Sequence, residues 1–134
     1  IEDQYDLIIS NPPFYTETFK TENKIRNQAR FEDAMPFHTL LKSVAQLLSP
    51  RGHFNVIIPF SEETSFIELA ANEGLFPLKI LTIRGQKSSP LKRSIICFTF
   101  KKQAVETREL VIEIARHQYT KEYTSLTKDF YLKL

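Results

Sequence analysis

The pattern of apolar and polar positions divides the first part of the chain into a strand, a polar stretch and a helix. Tyr5–Ser10 is a short, β-branched apolar run that ends at an Asn-Pro-Pro sequence, which is typical of a buried parallel strand leading into a loop. Residues 16–33 are polar and lack an apolar period, so they predict a mobile loop. Residues 37–48 carry apolar side chains at helical spacing, and we predict a helix there.

The pattern then repeats this order. Residues 53–60 form a second apolar run and predict another buried strand. Ser61 is suited to cap a helix over residues 62–73, and Gly74 is suited to end it. Strands that alternate with helices of this length predict parallel strands joined by crossover helices.

The second half of the chain has a different pattern. Residues 78–84 and 94–101 are two strand-like runs, and the connection at residues 85–93 is too short for a helical crossover, so it predicts an antiparallel hairpin. Residues 109–115 alternate as an additional strand does, and residues 121–131 predict a closing helix. The predicted fold class is α/β: the C-terminal half of a doubly wound, Rossmann-like sheet, as one unit over residues 1–134.

Composition narrows the class of protein without choosing a partner. The 134 residues are 42% hydrophobic and 25% charged, which fits one globular domain, and the net charge of +2 favours neither presence nor absence of a polyanionic ligand. Cys97 is the single cysteine, which excludes an internal disulfide and fits a reducing cytoplasm. No apolar run reaches the roughly 20 residues needed to cross a bilayer, and no Cys/His cluster has metal-binding spacing. We expect a soluble, cytoplasmic protein without a metal.

The candidate chemistry lies in Asn11, Pro12, Pro13 and Phe14, directly after the first strand, where open α/β sheets bind ligands. An amino group on an aromatic ring is a poor nucleophile because its lone pair is delocalised. The Asn11 side-chain oxygen and the Pro12 main-chain oxygen can accept its two hydrogens and direct the lone pair toward an electrophilic methyl group. Phe14 can stack on the ring. The alternative is that Asn-Pro-Pro only ends a strand, but the aromatic fourth residue and the α/β pattern favour chemistry.

The sequence SNPPF after YDLII resembles the catalytic motif of amino-directed methyltransferases, whose acceptors include adenine, guanine and the glutamine amide of release factors. The segment Gln28-Ala29-Arg30, the strand HFNVIIPF and the ending YTKEYTSLTKDFYL are similar to the family that methylates N6 of adenine 37 in valine transfer RNA. The resemblance implies a class I methyltransferase sheet, S-adenosyl-L-methionine as the methyl donor, and the anticodon loop of tRNA as partner. It also implies an RNA contact for Arg30, for which an ordinary surface arginine is the alternative.

The glycine-rich cofactor loop of that family has no counterpart here. Gly52, Gly74 and Gly85 are all isolated, and the chain begins at Ile1 rather than at Met. We therefore expect the N-terminal, cofactor-binding half to be absent, with only an edge contact from Asn11 remaining. The chain is then expected to be inactive alone and to expose a strand edge that favours self-association.

Cations cluster around the predicted hairpin. Lys87, Lys92 and Arg93 are expected to contact the RNA backbone, although a solvated hairpin would show the same residues. The function expected is methyl transfer to adenine N6 in tRNA(Val). The alternatives are a protein-glutamine or ribosomal-guanine N-methyltransferase, and a cofactor-free RNA-binding remnant.

Overall fold

The computed structural model describes residues 3–13 and 36–129, which form one mixed sheet with helices on both faces. The strands are β1 (Tyr5–Ser10), β2 (Leu48–Pro59), β3 (Phe76–Gln86), β4 (Leu91–Thr99), β5 (Glu106–Ala115) and β6 (Gln118–Tyr119). The helices are α1 (Phe37–Leu47), α2 (Glu63–Asn72) and α3 (Lys121–Thr127), with a 3-10 turn at Phe60–Glu62 before α2. The predicted order of elements is confirmed. The predicted loop at residues 16–33 lies outside the described residues.

The strands lie in the order β1-β2-β4-β3-β5-β6. β1 and β2 are parallel, and β3 and β4 form the predicted antiparallel hairpin. β4 is inserted between β2 and β3 and is antiparallel to both, whereas β5 pairs parallel with β3. The additional strand therefore extends the sheet beside the first strand of the hairpin, and the sheet is antiparallel only at its centre and at the short β6.

One face of the sheet, here called the inner face, packs against α1 and α2. Alternate residues of β2 and β4 point to this face, and Phe54 and Phe98 are fully buried there. The Phe66 ring of α2 contacts the Phe98 ring at a centroid distance of 5.7 Å and the Phe37 ring of α1 at 4.9 Å. Burial of large apolar side chains is the main stabilising term in folding, at about 25 cal/mol per Å². The inner face is therefore the core of the described chain.

The opposite, outer face is covered over only part of its area. Leu110 of β5 is buried on this face, since it pairs in register with Ile83. Thr120 caps α3, because its hydroxyl oxygen accepts from the Tyr123 amide at 3.1 Å and its hydroxyl donates to the Val111 carbonyl at 2.6 Å. This cap holds α3 close to β5. The predicted helix over residues 121–131 ends at Thr127, and its last two residues lie outside the described range.

The beginning of β2 differs from the prediction. We expected a break after the first helix and a strand from residue 53, but β2 begins at Leu48. Its register against β1 shifts from Tyr5↔Leu48 to Leu7↔His53, so an irregular stretch absorbs the Pro-Arg-Gly sequence inside the strand. A Cβ atom at Gly52 would lie 2.6 Å from the Leu48 Cδ1 atom, so a larger residue would force the buried Leu48 side chain to move.

The predicted Ser61 cap is wrong. Pro59 is extended and leads into the 3-10 turn, and α2 begins at Glu63 without a side-chain cap. Because Ser61 lies within the turn, it does not occupy the non-helical position that capping requires. Gly74 ends the helix as predicted, with φ of +77°.

Candidate functional site

Asn11, Pro12 and Pro13 directly follow β1, at the carboxyl edge of the parallel β1–β2 pair. Asn11 and Pro13 are exposed and Pro12 is partly buried. Both prolines have a restricted φ and no amide hydrogen, so this segment presents carbonyl and side-chain oxygens on a stiff backbone. The position is the one that the sequence predicts. Phe14 lies outside the described residues, and its stacking role stays a prediction, as does the RNA contact of Arg30.

The β3–β4 hairpin turn lies at this same edge of the sheet. β2 and β3 both run antiparallel to β4, so they end where β4 begins. Arg93 near the start of β4 is in register with Pro59 at the end of β2. Lys87, Lys92 and Arg93 are all exposed. The fold therefore places the predicted RNA-binding cations along the edge that carries the Asn-Pro-Pro segment.

Sequence reasoning missed Arg84, which joins the hairpin turn to β5. One terminal guanidinium nitrogen, Nη1, donates to the Lys87 carbonyl at 3.3 Å and to the Ser89 carbonyl at 3.1 Å. The Nε atom lies 2.6 Å from Glu109 Oε1, but its N–H is not aligned with a hydrogen-bond acceptor, so this contact is an ion pair and not a hydrogen bond. Because three contacts hold one side chain, Arg84 stabilises the turn that carries the exposed cations. The sequence signal was only a cation at the end of a predicted strand.

The glycines do not form a cofactor cradle. Gly52 packs against Leu48 within β2, Gly74 ends α2, and a Cβ atom at Gly85 would meet nothing within 4 Å. No glycine therefore marks a close backbone approach to a nucleoside. The glycines of this chain therefore do not fit the main binding site for S-adenosyl-L-methionine that the resemblance implies. The edge contact predicted for Asn11 stays a prediction.

A cavity of about 350 Å³ lies on the outer face, under α3, and is separate from the carboxyl edge. Leu81 and Cys97 line it from the sheet, and Leu126 lines it from α3. Cys97 is partly buried here, since α3 covers its side of β4 incompletely. Burial raises the pKa of the Cys97 thiol above its ordinary value, and the nearby Lys79 ammonium partly opposes this rise.

Other polar groups have local structural partners. Asp6 accepts a hydrogen bond from the Ser49 hydroxyl at 2.6 Å, which explains an acidic residue within β1.

In residues 3–13 and 36–129, no three His, Cys, Asp or Glu side chains form a group able to hold a metal ion. No helix of the described ranges is both long and apolar enough to span a membrane.

Comparison with known proteins identifies close sequence relatives. No protein-family model matches the chain. A protein of Christiangramia forsetii, named tRNA1(Val) (adenine(37)-N6)-methyltransferase, is 51% identical over 133 residues, which cover 99% of this chain and 55% of the relative. A protein of Bacteroides fragilis with the same name is 44% identical over 131 residues, covering 98% and 55%. The chain therefore spans slightly more than half the length of the curated relatives that it matches.

Solved structures confirm the predicted fold class. A predicted O-methyltransferase from Agrobacterium tumefaciens superposes with a TM-score of 0.65 at 14% identity, covering 92% of this chain and 51% of that chain. A modification subunit of a putative type I restriction enzyme from Vibrio vulnificus superposes with a TM-score of 0.50 at 14% identity, covering 96% and 31%. At this identity the likeness concerns the fold alone, and the chain matches one part of each of these two structures.

Proposed function

We propose that this chain, which is homologous along 98–99% of its length to part of the tRNA1(Val) (adenine(37)-N6)-methyltransferases, is the catalytic and target-binding part of such an enzyme. The proposed reaction transfers a methyl group to the N6 amino group of an adenine in the anticodon loop of tRNA(Val). An unpaired loop base costs little to extrude, which suits a target read at an exposed edge. Transfer RNA as substrate also favours the cytoplasm as the site of action.

The observation that carries this proposal is the position of Asn11 and Pro12. Both follow β1 at the carboxyl edge of the parallel pair, and Asn11 is exposed to an incoming base. The Asn11 Oδ1 atom and the Pro12 carbonyl oxygen accept the two hydrogens of the adenine amino group. This arrangement turns the nitrogen lone pair out of conjugation with the ring, and no strong general base is needed.

Affinity and geometry are expected to depend on different residues. Stacking on an aromatic side chain contributes about 1 to 3 kcal/mol per base, whereas a neutral hydrogen bond contributes about 0.5 to 1.5 kcal/mol net. Phe14 is therefore proposed to supply most of the affinity for the base. Asn11 is proposed to act mainly in the transition state, where the direction of the lone pair decides the rate.

The methyl donor is proposed to be S-adenosyl-L-methionine, held mainly by residues outside these 134. The relatives are almost twice as long as the matched segment, and the glycines of this chain do not form a cradle. Within residues 3–13 and 36–129, β1 is an edge strand whose free side can pair with a further strand. The chain alone is accordingly proposed to be inactive, and self-association through that free edge is its expected side effect.

Two other methyl acceptors also carry an amino group whose two hydrogens need hydrogen-bond acceptors. A protein glutamine or a ribosomal guanine would use Asn11 and Pro12 in the same way. The names of the relatives favour the tRNA adenine over both. A cofactor-free RNA-binding remnant would keep the binding surface without methyl transfer.

The test measures tritium transfer from labelled S-adenosyl-L-methionine into unmodified tRNA(Val). The full-length wild-type protein should label the adenine beside the anticodon, and the 134-residue chain should not. Full-length Asn11→Ala should lose about 100-fold or more in kcat with a smaller change in KM, because misdirecting the lone pair acts on the transition state.

Asn55→Ala is the matched control. Asn55 is a partly buried asparagine on β2 that lines the outer-face cavity, so its loss should leave kcat within a few-fold of wild type. Labelling of a release-factor peptide or of ribosomal guanine in place of the tRNA would overturn the substrate. Turnover by the 134-residue chain alone would overturn the division between catalytic and cofactor-binding parts.

A further inference from the structure

Phe60 differs from every other phenylalanine in residues 3–13 and 36–129. The residue is 36% exposed, whereas the others in those ranges are buried or partly buried. It also does not belong to the hydrophobic cluster of the inner face, against which Phe37 and Phe100 pack. Folding therefore gains less from Phe60 than from the fully buried Phe54, Phe66 and Phe98, and part of Phe60 stays accessible to a ligand.

The register of the sheet places Phe60 next to the proposed catalytic segment. Ser10, the residue before the Asn-Pro-Pro segment, is paired with Val56, which lies four residues before Phe60. On the other side of β2, Pro59 is in register with Arg93 of the basic hairpin. The 3-10 turn that begins at Phe60 therefore lies between the Asn-Pro-Pro segment and the exposed cations, along one edge of the sheet.

The backbone around Phe60 is stiff. Pro59 has φ of −58° and ψ of 139°, and the Phe60 carbonyl accepts a hydrogen bond from the Glu63 amide in the 3-10 turn. A ring on a fixed backbone loses little entropy when it contacts a ligand. An exposed aromatic side chain beside cations is the arrangement with which proteins bind unpaired nucleotides, since every base has a face on which a ring can stack.

We propose that Phe60 stacks on a nucleotide adjacent to the target adenine in the RNA loop, an inference that rests on the proposed function. Phe60 follows β2, so it lies on the side of the motif away from the free edge of β1 and from the proposed cofactor-binding part. The flanking nucleotide is held between the motif and the hairpin, while Arg93 and the neighbouring lysines contact its phosphate. Phe60 is a positioning residue for the loop.

The test uses full-length Phe60→Ala and Phe60→Tyr proteins with an unmodified anticodon stem-loop. Loss of one stacked base corresponds to an increase of about 5- to 150-fold in Kd and KM, and kcat should remain within about threefold of wild type. Tyr keeps the ring and should restore wild-type affinity. Val105→Ala is the control, because Val105 is 41% exposed just before β5, at the opposite edge of the sheet.

Two further readouts separate stacking from a structural effect. A 2-aminopurine base beside the target adenine should lose fluorescence on binding to wild type and to Phe60→Tyr, but not to Phe60→Ala. The salt dependence of binding should be the same for Phe60→Ala as for wild type, whereas Arg93→Ala should lower its slope.

Each outcome decides the inference. The stacking role of Phe60 would be overturned if Phe60→Ala bound the stem-loop with wild-type affinity, or if it quenched 2-aminopurine as the wild type does. In that case, methylation of the stem-loop by the wild-type protein would still support the proposed function. If the wild-type protein neither binds nor methylates the stem-loop, the proposed function fails, and the role of Phe60 fails with it.

Discussion

The two faces of the sheet carry similar apolar residues but are covered very differently. On the inner face, Phe54 and Phe98 are fully buried beneath α1 and α2. On the outer face, Leu7 is 56% exposed, Ile9 is 73% exposed and Ile57 is only partly buried. Strands that are apolar on both faces are typical of a parallel sheet with helices on both sides. The difference shows that strand composition predicts burial, but the helices that are present decide where burial occurs.

The outer face also bears on the proposed division of the enzyme. Exposed apolar residues on an edge strand favour contact with a further segment of protein. A cofactor-binding part that pairs with β1 would bring such a segment to Leu7 and Ile9. The uncovered area thus supports the proposal that residues outside these 134 complete the sheet.

Core truncation should give the largest difference between the faces. Phe98→Ala should reduce the free energy of unfolding by about 3 to 5 kcal/mol, because it removes a fully buried ring that contacts Phe54 and Phe66. Ile9→Ala should change it by less than about 0.5 kcal/mol, since most of its side chain is already in water. Urea unfolding of the 134-residue chain measures both.

A second pair of variants with smaller substitutions tests the same comparison if Phe98→Ala does not fold. Phe98→Leu keeps most of the apolar volume and should cost about 1 to 2 kcal/mol, and Ile9→Val should cost nothing measurable. Equal destabilisation by the Phe98 and Ile9 variants would contradict the distinction between a closed and an open face.

A smaller difference is expected between two serines that donate to carboxylates. Ser94 is fully buried on the inner face and donates to Glu63 of α2, whereas Ser49 donates to Asp6 at an exposed position. Ser94→Ala should cost about 1 to 2 kcal/mol, because the partly buried Glu63 carboxylate loses its donor. Ser49→Ala should cost less than about 0.5 kcal/mol, since water replaces the lost bond. The measurement is the urea midpoint of unfolding of each variant, compared at equal dependence of the unfolding free energy on urea concentration. A larger loss of stability in Ser49→Ala than in Ser94→Ala would contradict this prediction.

The smallest effect concerns the reactivity of Cys97 on the outer face. Burial raises the thiol pKa, so the thiolate fraction at pH 7.5 is lower than that of a free cysteine with an ordinary pKa of 9.0. Reaction with a disulfide reagent should be slow at pH 7.5 and should still accelerate above pH 9. Lys79→Met removes the opposing charge and should raise the pKa further, which slows the reaction again. A reaction rate that reaches its plateau below pH 9 would contradict this environment.

Local pattern was sufficient for much of the candidate site. β1 and its Asn-Pro-Pro end, α1 and the β3–β4 hairpin were all predicted, because apolar period, proline and short connections act over a few residues. The Ser61 cap failed because Ser61 lies within the 3-10 turn into which Pro59 leads, and α2 begins only at Glu63. A capping residue identified from sequence is correct only if the chain enters the helix at that point.

The sequence by itself determined most of the elements, the α/β class and the segment proposed to carry the chemistry, because each depends on residues that are neighbours along the chain. The tertiary structure decided that β4 lies between β2 and β3, and therefore that Phe60 and Arg93 share an edge with Asn11. It also decided that Arg84 binds both the hairpin turn and Glu109. A period of two specifies which face a side chain occupies, whereas the neighbour across the sheet is chosen by packing between segments that are distant in sequence.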